Sequence, residues 1–223
     1  MEYKSVEATD MRLYYGSETF FTSPKFGEGK ANNDYGLGFY MTTSYDLAKL
    51  WAGKAKDGGY VLTFEFDIEG LDVLELRDYD EENVLKWISI LVRNRFDYAE
   101  RQRYQDRIAW LSRKFPTVLD SVDVVIGYRA DDSYFQYSRA FVANELSFEI
   151  LTEAMRIGKL GLQYVAISKK AFERLKFVKA DRFDHTSDYE SFQKRTLTEY
   201  HAMKKTDKDT NTFIRDLVRK YGD

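Results

Sequence analysis

The chain contains no cysteine, which excludes disulfides, thiolate-bound zinc and a cysteine nucleophile. Proline is almost as scarce: the 223 residues hold two, Pro24 and Pro116. No tract rich in glycine, serine and proline divides the chain, and it shows no internal repeat or low-complexity segment. No run approaches the roughly 20 apolar residues of a membrane-spanning helix, so no membrane partner is expected. The first residues, Met1-Glu2-Tyr3-Lys4-Ser5-Val6-Glu7, lack the apolar stretch of a secretory signal. With the absence of cysteine, this points to the cytoplasm. The two histidines, His185 and His201, stand without carboxylates at metal-ligand spacing, and no metal is expected. A net charge of -3 provides no overall attraction to nucleic acid.

What is present suffices for a substantial core: 43% of the residues are hydrophobic and 16% aromatic. Met11 to Gly16 reads as a short strand ending at a glycine. Residues 18–38 are rich in Gly, Asn, Asp and Lys and read as a long loop, a feature often tied to function. A helix is predicted from Thr43 to Ala55, with Thr43 and Asp46 at capping-box spacing and Leu47, Leu50 and Trp51 as its apolar stripe. Tyr60 to Phe66 alternates like a half-buried strand, and helices are predicted over 82–94 and 98–114. Val122 to Ile126 reads as a buried strand, 132–155 as mostly helical, and Leu162 to Ile167 as another strand. A short turn or helix then leads into a strand over 176–179. The sum is an α+β fold. The expected organisation is one domain over residues 1–182, with a helical insert at about 81–115, and a charged helical extension over 183–223.

Two groups of residues carry the chemistry. Tyr15-Gly16-Ser17 is followed by Gly36-Leu37-Gly38-Phe39-Tyr40, and far downstream stands Gln163-Tyr164-Val165-Ala166-Ile167-Ser168 before Leu175-Lys176-Phe177. A glycine after an aromatic strand end allows a ligand close to the backbone. A tyrosine ring such as that of Tyr40 can stack on a flat heterocycle. A glutamine opening a strand can hydrogen-bond a hydroxyl. Taken singly, glycines beside tyrosines are ordinarily turns next to core aromatics.

Taken together and in order, they resemble the NAD-binding core of an ADP-ribosyltransferase of the poly-ADP-ribose-polymerase-like branch. Tyr15-Gly16-Ser17 is similar to its His-Gly-Ser, Gly36 to Tyr40 to its Gly-Lys-Gly-Ile-Tyr, and the Gln163 strand to the one opening with its catalytic glutamate. The chain further resembles a bacterial family of formerly unknown function in the same clan. The shared features are Asp34-Tyr35-Gly36-Leu37-Gly38-Phe39-Tyr40, Asn94-Arg95, Asp123 to Gly127, and Ala130-Asp131-Asp132. The resemblance covers roughly residues 11–180. It implies a split β core with inserted helices, and NAD as substrate with no metal. On this likeness, Gly16 holds the nicotinamide amide through its backbone, and Tyr40 stacks on the ring with Trp51 beside it. Tyr15 and Ser17 orient the adenosine side, Asn33 and Asp34 line the loop over the cofactor, and Gln163 fixes a ribose hydroxyl.

Two positions depart from the pattern: Tyr15 stands for the histidine and Gln163 for the glutamate. A glutamine keeps an acceptor oxygen but has no charge and cannot act as a base. The resemblance implies a mono-ADP-ribosyltransferase acting on a protein or nucleic acid, as a bacterial toxin or anti-phage effector, with an antitoxin as a further partner. An NAD glycohydrolase and a non-catalytic NAD- or ADP-ribose-binding module are the alternatives.

Other features admit two meanings. Residues 93–114 carry seven basic and three acidic side chains interleaved with Phe96, Tyr98, Tyr104 and Trp110, a composition that suits single-stranded nucleic acid or, equally, a solvated helix. Arg95 is placed to reach a pyrophosphate. Asp131 and Asp132 can orient a substrate or start a helix. The tail from 194 onward is expected either to touch a partner or to dock through Phe213, Leu217 and Val218.

Overall fold

The computed structural model of the chain describes residues 11–130, 135–157 and 161–222. Its centre is one seven-stranded mixed sheet among those residues, in the order β4-β5-β6-β2-β1-β3-β7. The strands are β1 (Met11–Ser17), β2 (Phe39–Thr42), β3 (Gly59–Phe66), β4 (Val73–Leu76), β5 (Val124–Tyr128), β6 (Leu162–Ala166) and β7 (Leu175–Phe183). All neighbours are antiparallel except β4 and β5. With the helices, this is an α+β architecture.

Helix α1 (Tyr45–Ala52) follows β2 directly. Ser44, not Thr43, is its N-cap, its hydroxyl accepting from the Leu47 amide at 3.2 Å. Helix α2 (Glu81–Arg95) is capped by Asp80. The single helix expected over 98–114 divides at Tyr104 into α3 (Tyr98–Arg103) and α4 (Gln105–Lys114). The helical stretch expected to end at 155 divides into α5 (Phe135–Val142) and α6 (Phe148–Ile157), with Asn144 turning the chain at a left-handed φ of 64°. Asparagine tolerates that conformation better than most residues. Ser168 caps the short α7 (Lys169–Phe172), and the chain closes with α8 (Asp188–Thr206) and α9 (Ile214–Tyr221).

Alternation along the strands separates two cores. On one face, Val125 and Val165 pack with α2, α5 and α6, joined by Tyr35 from the loop and by Tyr128 at the end of β5. On the other, Leu13, Phe39, Met41, Phe64 and Tyr164 form a second cluster beneath the 18–38 loop and α7. β3 is more enclosed than its alternation suggests, because Val61 also packs against Ala48 and Ala52 of α1. The extension docks on the first core: Ile214 and Leu217 are fully buried in it, and the Trp110 indole donates to the Gly222 carbonyl at 3.0 Å. Among the described residues, no helix is long and apolar enough to cross a membrane.

Candidate functional site

The site begins where the sheet comes apart. β1 pairs with β3 at seven successive positions, but with β2 at one, Tyr14 with Thr42. Past that point Tyr15 to Ser17 and Phe39 to Met41 run on without a ladder between them. Their outer sides are laddered to β3 and β6, and only the sides that face the gap lack a strand partner. Gly16 lies in it, pressed against α1: a Cβ there would meet the Ala48 carbonyl oxygen at 2.3 Å and Trp51 Cβ at 2.8 Å. This close approach brings Trp51 to the gap. Over the Trp51 ring stacks the guanidinium of Arg129, with Cζ 3.2 Å from the centroid. The indole Nε1 of Trp51 is buried without a hydrogen-bond partner among the described residues.

Next to the gap is a buried polar network. Tyr40 and Gln163 project from adjacent strands on the same face, since Thr42 pairs with Gln163 and Tyr40 with Val165. The Tyr40 hydroxyl accepts from the Tyr35 amide at 3.1 Å and donates to the Gly36 carbonyl at 2.6 Å. That bond closes a turn in which Gly36 has a φ of 80°, a conformation that suits glycine. Gln163 Nε2 donates to Asp34 Oδ2 and to the Tyr128 carbonyl, both at 3.0 Å. Asp34 also accepts from Arg95 at 2.9 Å and from the Ala130 amide at 2.8 Å. Asn94 donates to the Asp34 carbonyl at 3.0 Å. The 18–38 loop is therefore tied to α2, β5 and β6 through one aspartate.

Burial pushes the Asp34 carboxyl above its ordinary value, against the opposing pull of Arg95, the Ala130 amide and Gln163. Burial likewise raises the Tyr40 and Tyr35 hydroxyls. Both stay protonated at neutral pH and serve as donors, Tyr35 to the Tyr128 carbonyl at 2.8 Å.

Of the residues singled out in the sequence, Asp34, Tyr40, Arg95 and Gln163 come together, with Gly16 and Trp51 beside them. Arg95 engages Asp34 and stacks on Phe135, with Cζ 4.3 Å from the ring centroid. Tyr15 faces the other way: its ring packs on Phe39 at 4.6 Å and Phe21 at 5.8 Å, within the second core. Burial raises its hydroxyl. Ser17 accepts from the Thr19 amide at 3.2 Å. Asn33 stands in the turn before Gly36, its carbonyl accepting the Gly36 amide at 3.0 Å. Asp131 and Asp132 lie outside the described residues.

Sequence reasoning missed Arg129 and Tyr128, and it named Tyr35 within the Asp34 to Tyr40 motif without giving it a role. The signal for Arg129 was a lone charge at the end of a buried strand; the contacts of Tyr35 and Tyr128 gave none, because their partners are remote in sequence. The basic stretch is largely spent on structure. Arg93 donates to the Ser89 and Thr117 carbonyls, Arg101 to those of Phe96 and Arg93, and Arg107 to that of Val142. A separate open cavity of about 360 Å³ lies past the other end of β6, between Phe26, Tyr35, Leu37, Val122 and Ile167. Tyr35, Leu37, Ile167 and Ser168 of the motifs line it, but Gly16, Asp34, Tyr40, Trp51, Arg95 and Gln163 do not.

Residues 11–177 fit the family described as a protein of unknown function, DUF3990, and the chain belongs to that family. No curated protein and no solved structure matches the chain.

Proposed function

We propose that the protein is a mono-ADP-ribosyltransferase that moves ADP-ribose from NAD to a protein or nucleic acid. The observation that carries this reading is the gap between β1 and β2, with Gly16 on one bank and Tyr40 and Gln163 on the other. The edge of Gly16 that faces the gap has no partner on β2, although Gly16 pairs with Val61 of β3 on its other side, and it suits the nicotinamide amide, while the Tyr40 and Trp51 rings offer flat surfaces for the base. Gln163 Oε1 supplies the acceptor for a ribose hydroxyl. In the reaction, the bond from the ribose anomeric carbon to the nicotinamide nitrogen breaks, and that nitrogen keeps the electron pair. An acceptor oxygen or nitrogen forms the new bond to the carbon and releases its proton. With no side-chain base assigned, the rate rests on positioning. A role as a bacterial toxin or anti-phage effector, with an antitoxin partner, belongs to the same proposal.

A second reading, a module that binds NAD or ADP-ribose without turnover, is favoured by one observation: Tyr15 is directed into the second core, away from Gln163. Nicotinamide release by the purified protein separates the readings. Release only when a cell lysate supplies acceptors is the transferase result. Release in buffer alone indicates a glycohydrolase. NAD binding with no release under either condition overturns the enzymatic reading.

A further inference from the structure

We infer that Asp34 is the positioning residue of this site: it fixes the amide of Gln163 and is the reason a glutamine stands there in place of a glutamate. The inference rests on the function proposed above for its catalytic meaning, but not for the pairing itself.

The argument is one of donors and acceptors. The two atoms facing Gln163 Nε2 are a carboxylate oxygen of Asp34 and the Tyr128 carbonyl oxygen, each at 3.0 Å. Both can only accept, so the NH2 group must face them and the orientation of the amide is settled by chemistry. Gln163 Oε1 is then turned away from both and takes no hydrogen bond among the described residues. That leaves one neutral acceptor on a buried side chain, beside Tyr40 and the gap.

Asp34 is itself immobilised. Arg95 holds Oδ1, the Ala130 amide holds Oδ2, and Asn94 holds the backbone carbonyl. A glutamate at 163 would set one carboxylate oxygen against both acceptors with no proton between them. Like charges at this distance force one carboxyl to take up a proton or to turn away. Among the described residues the charged and titratable groups facing the pair are Arg95 from α2 and the phenols of Tyr35 and Tyr40. Arginine and phenols do not titrate between about pH 5 and 8, so in that window the two carboxyls alone would respond.

The test exchanges the two groups. Thermal unfolding is followed from pH 5 to 8 for the wild type, Asp34→Asn, Gln163→Glu and the double variant, with nicotinamide release measured alongside. Gln163→Glu is expected to melt well below the wild type at pH 8 and to recover as pH falls. The double variant again sets one amide against one carboxylate at that contact, while the Ala130 amide and the Tyr128 carbonyl stay mismatched, and it is expected to lose part of that pH dependence. In turnover, Asp34→Asn is expected to lower kcat by about tenfold or more with little change in KM, because the acceptor is misplaced rather than lost. A pH-independent Gln163→Glu, or a double variant no better than the sum of the singles, overturns the pairing. An Asp34→Asn variant with wild-type kcat overturns the positioning role and leaves the proposed function standing. Stability coupling with no nicotinamide release by the wild type, either in buffer or with a cell lysate supplying acceptors, upholds the pairing and defeats the proposed function instead.

Discussion

Gly16 lies so close to α1 that a Cβ on it would come within 2.3 Å of the Ala48 carbonyl oxygen. The glycine therefore seats a helix on the sheet as well as lining the gap. Gly16→Ala is expected to push α1 off β1 and to lower stability by about 1–3 kcal/mol, the usual cost of overpacking. Denaturant unfolding checks this; an unchanged midpoint would show that α1 yields freely.

Tyr40 does two jobs that one substitution cannot separate. Its hydroxyl closes the turn through the Tyr35 amide and the Gly36 carbonyl, while its ring packs on the larger core. Tyr40→Ala is thus expected to destabilise by about 3–5 kcal/mol as well as to abolish turnover. Tyr40→Phe keeps the ring and should cost only about 1–2 kcal/mol for the lost hydrogen bonds. If the ring stacks on nicotinamide, Tyr40→Phe retains NAD turnover measured at a temperature where it is fully folded.

Asp123 ties the start of β5 to the segments on either side. It is buried, which alone would raise its carboxyl. The Ser168 hydroxyl at 2.5 Å, the Asp72 amide at 2.9 Å and Lys170 at 3.2 Å outweigh that and hold it below the usual carboxylate range. A carboxyl depressed on folding stabilises above its unfolded value, about 3.9, and loses that contribution as pH falls through the folded value. Asp123→Asn is expected to cost on the order of 1–2 kcal/mol at pH 7. The gap from wild type should narrow below about pH 4, as seen in urea unfolding at both pH values.

The last helix belongs to the main core. Ile214 and Leu217 are fully buried there, and Lys220 pairs with Glu81 at 2.7 Å. Burial of two such side chains contributes about 1.5–3 kcal/mol each. A chain ending at 213 is expected to melt at a markedly lower temperature and to bind a hydrophobic dye. Normal melting would show that α9 is an appendage.

Much of this was legible in the sequence. β1, α2 and β6 are local patterns, an aromatic strand, an apolar helical stripe and a hydrophobic run, and fall where periodicity sets them. β2 and β4 were not, because four residues are too few to show a period, and they exist through pairing with β6 and β5. Tyr104 and Asn144 broke helices that the apolar spacing carried through. The motif residues Asp34, Tyr40 and Gln163 could be named from the chain. That Asp34 and Gln163 bond each other across 129 positions could not, nor could the stacking of Arg129 on Trp51. Those contacts are made by the topology, which brings the long loop, the end of β5 and the start of β6 to one place.

The most direct test of the central claim is transfer itself. NAD labelled in its adenine is incubated with the protein and a cell lysate, and protein, RNA and DNA are separated. Label covalently bound in one fraction with wild type, and lost with Gln163→Ala that still melts cooperatively, is the predicted result. No covalent label in any fraction, with NAD bound and recovered intact, would contradict it.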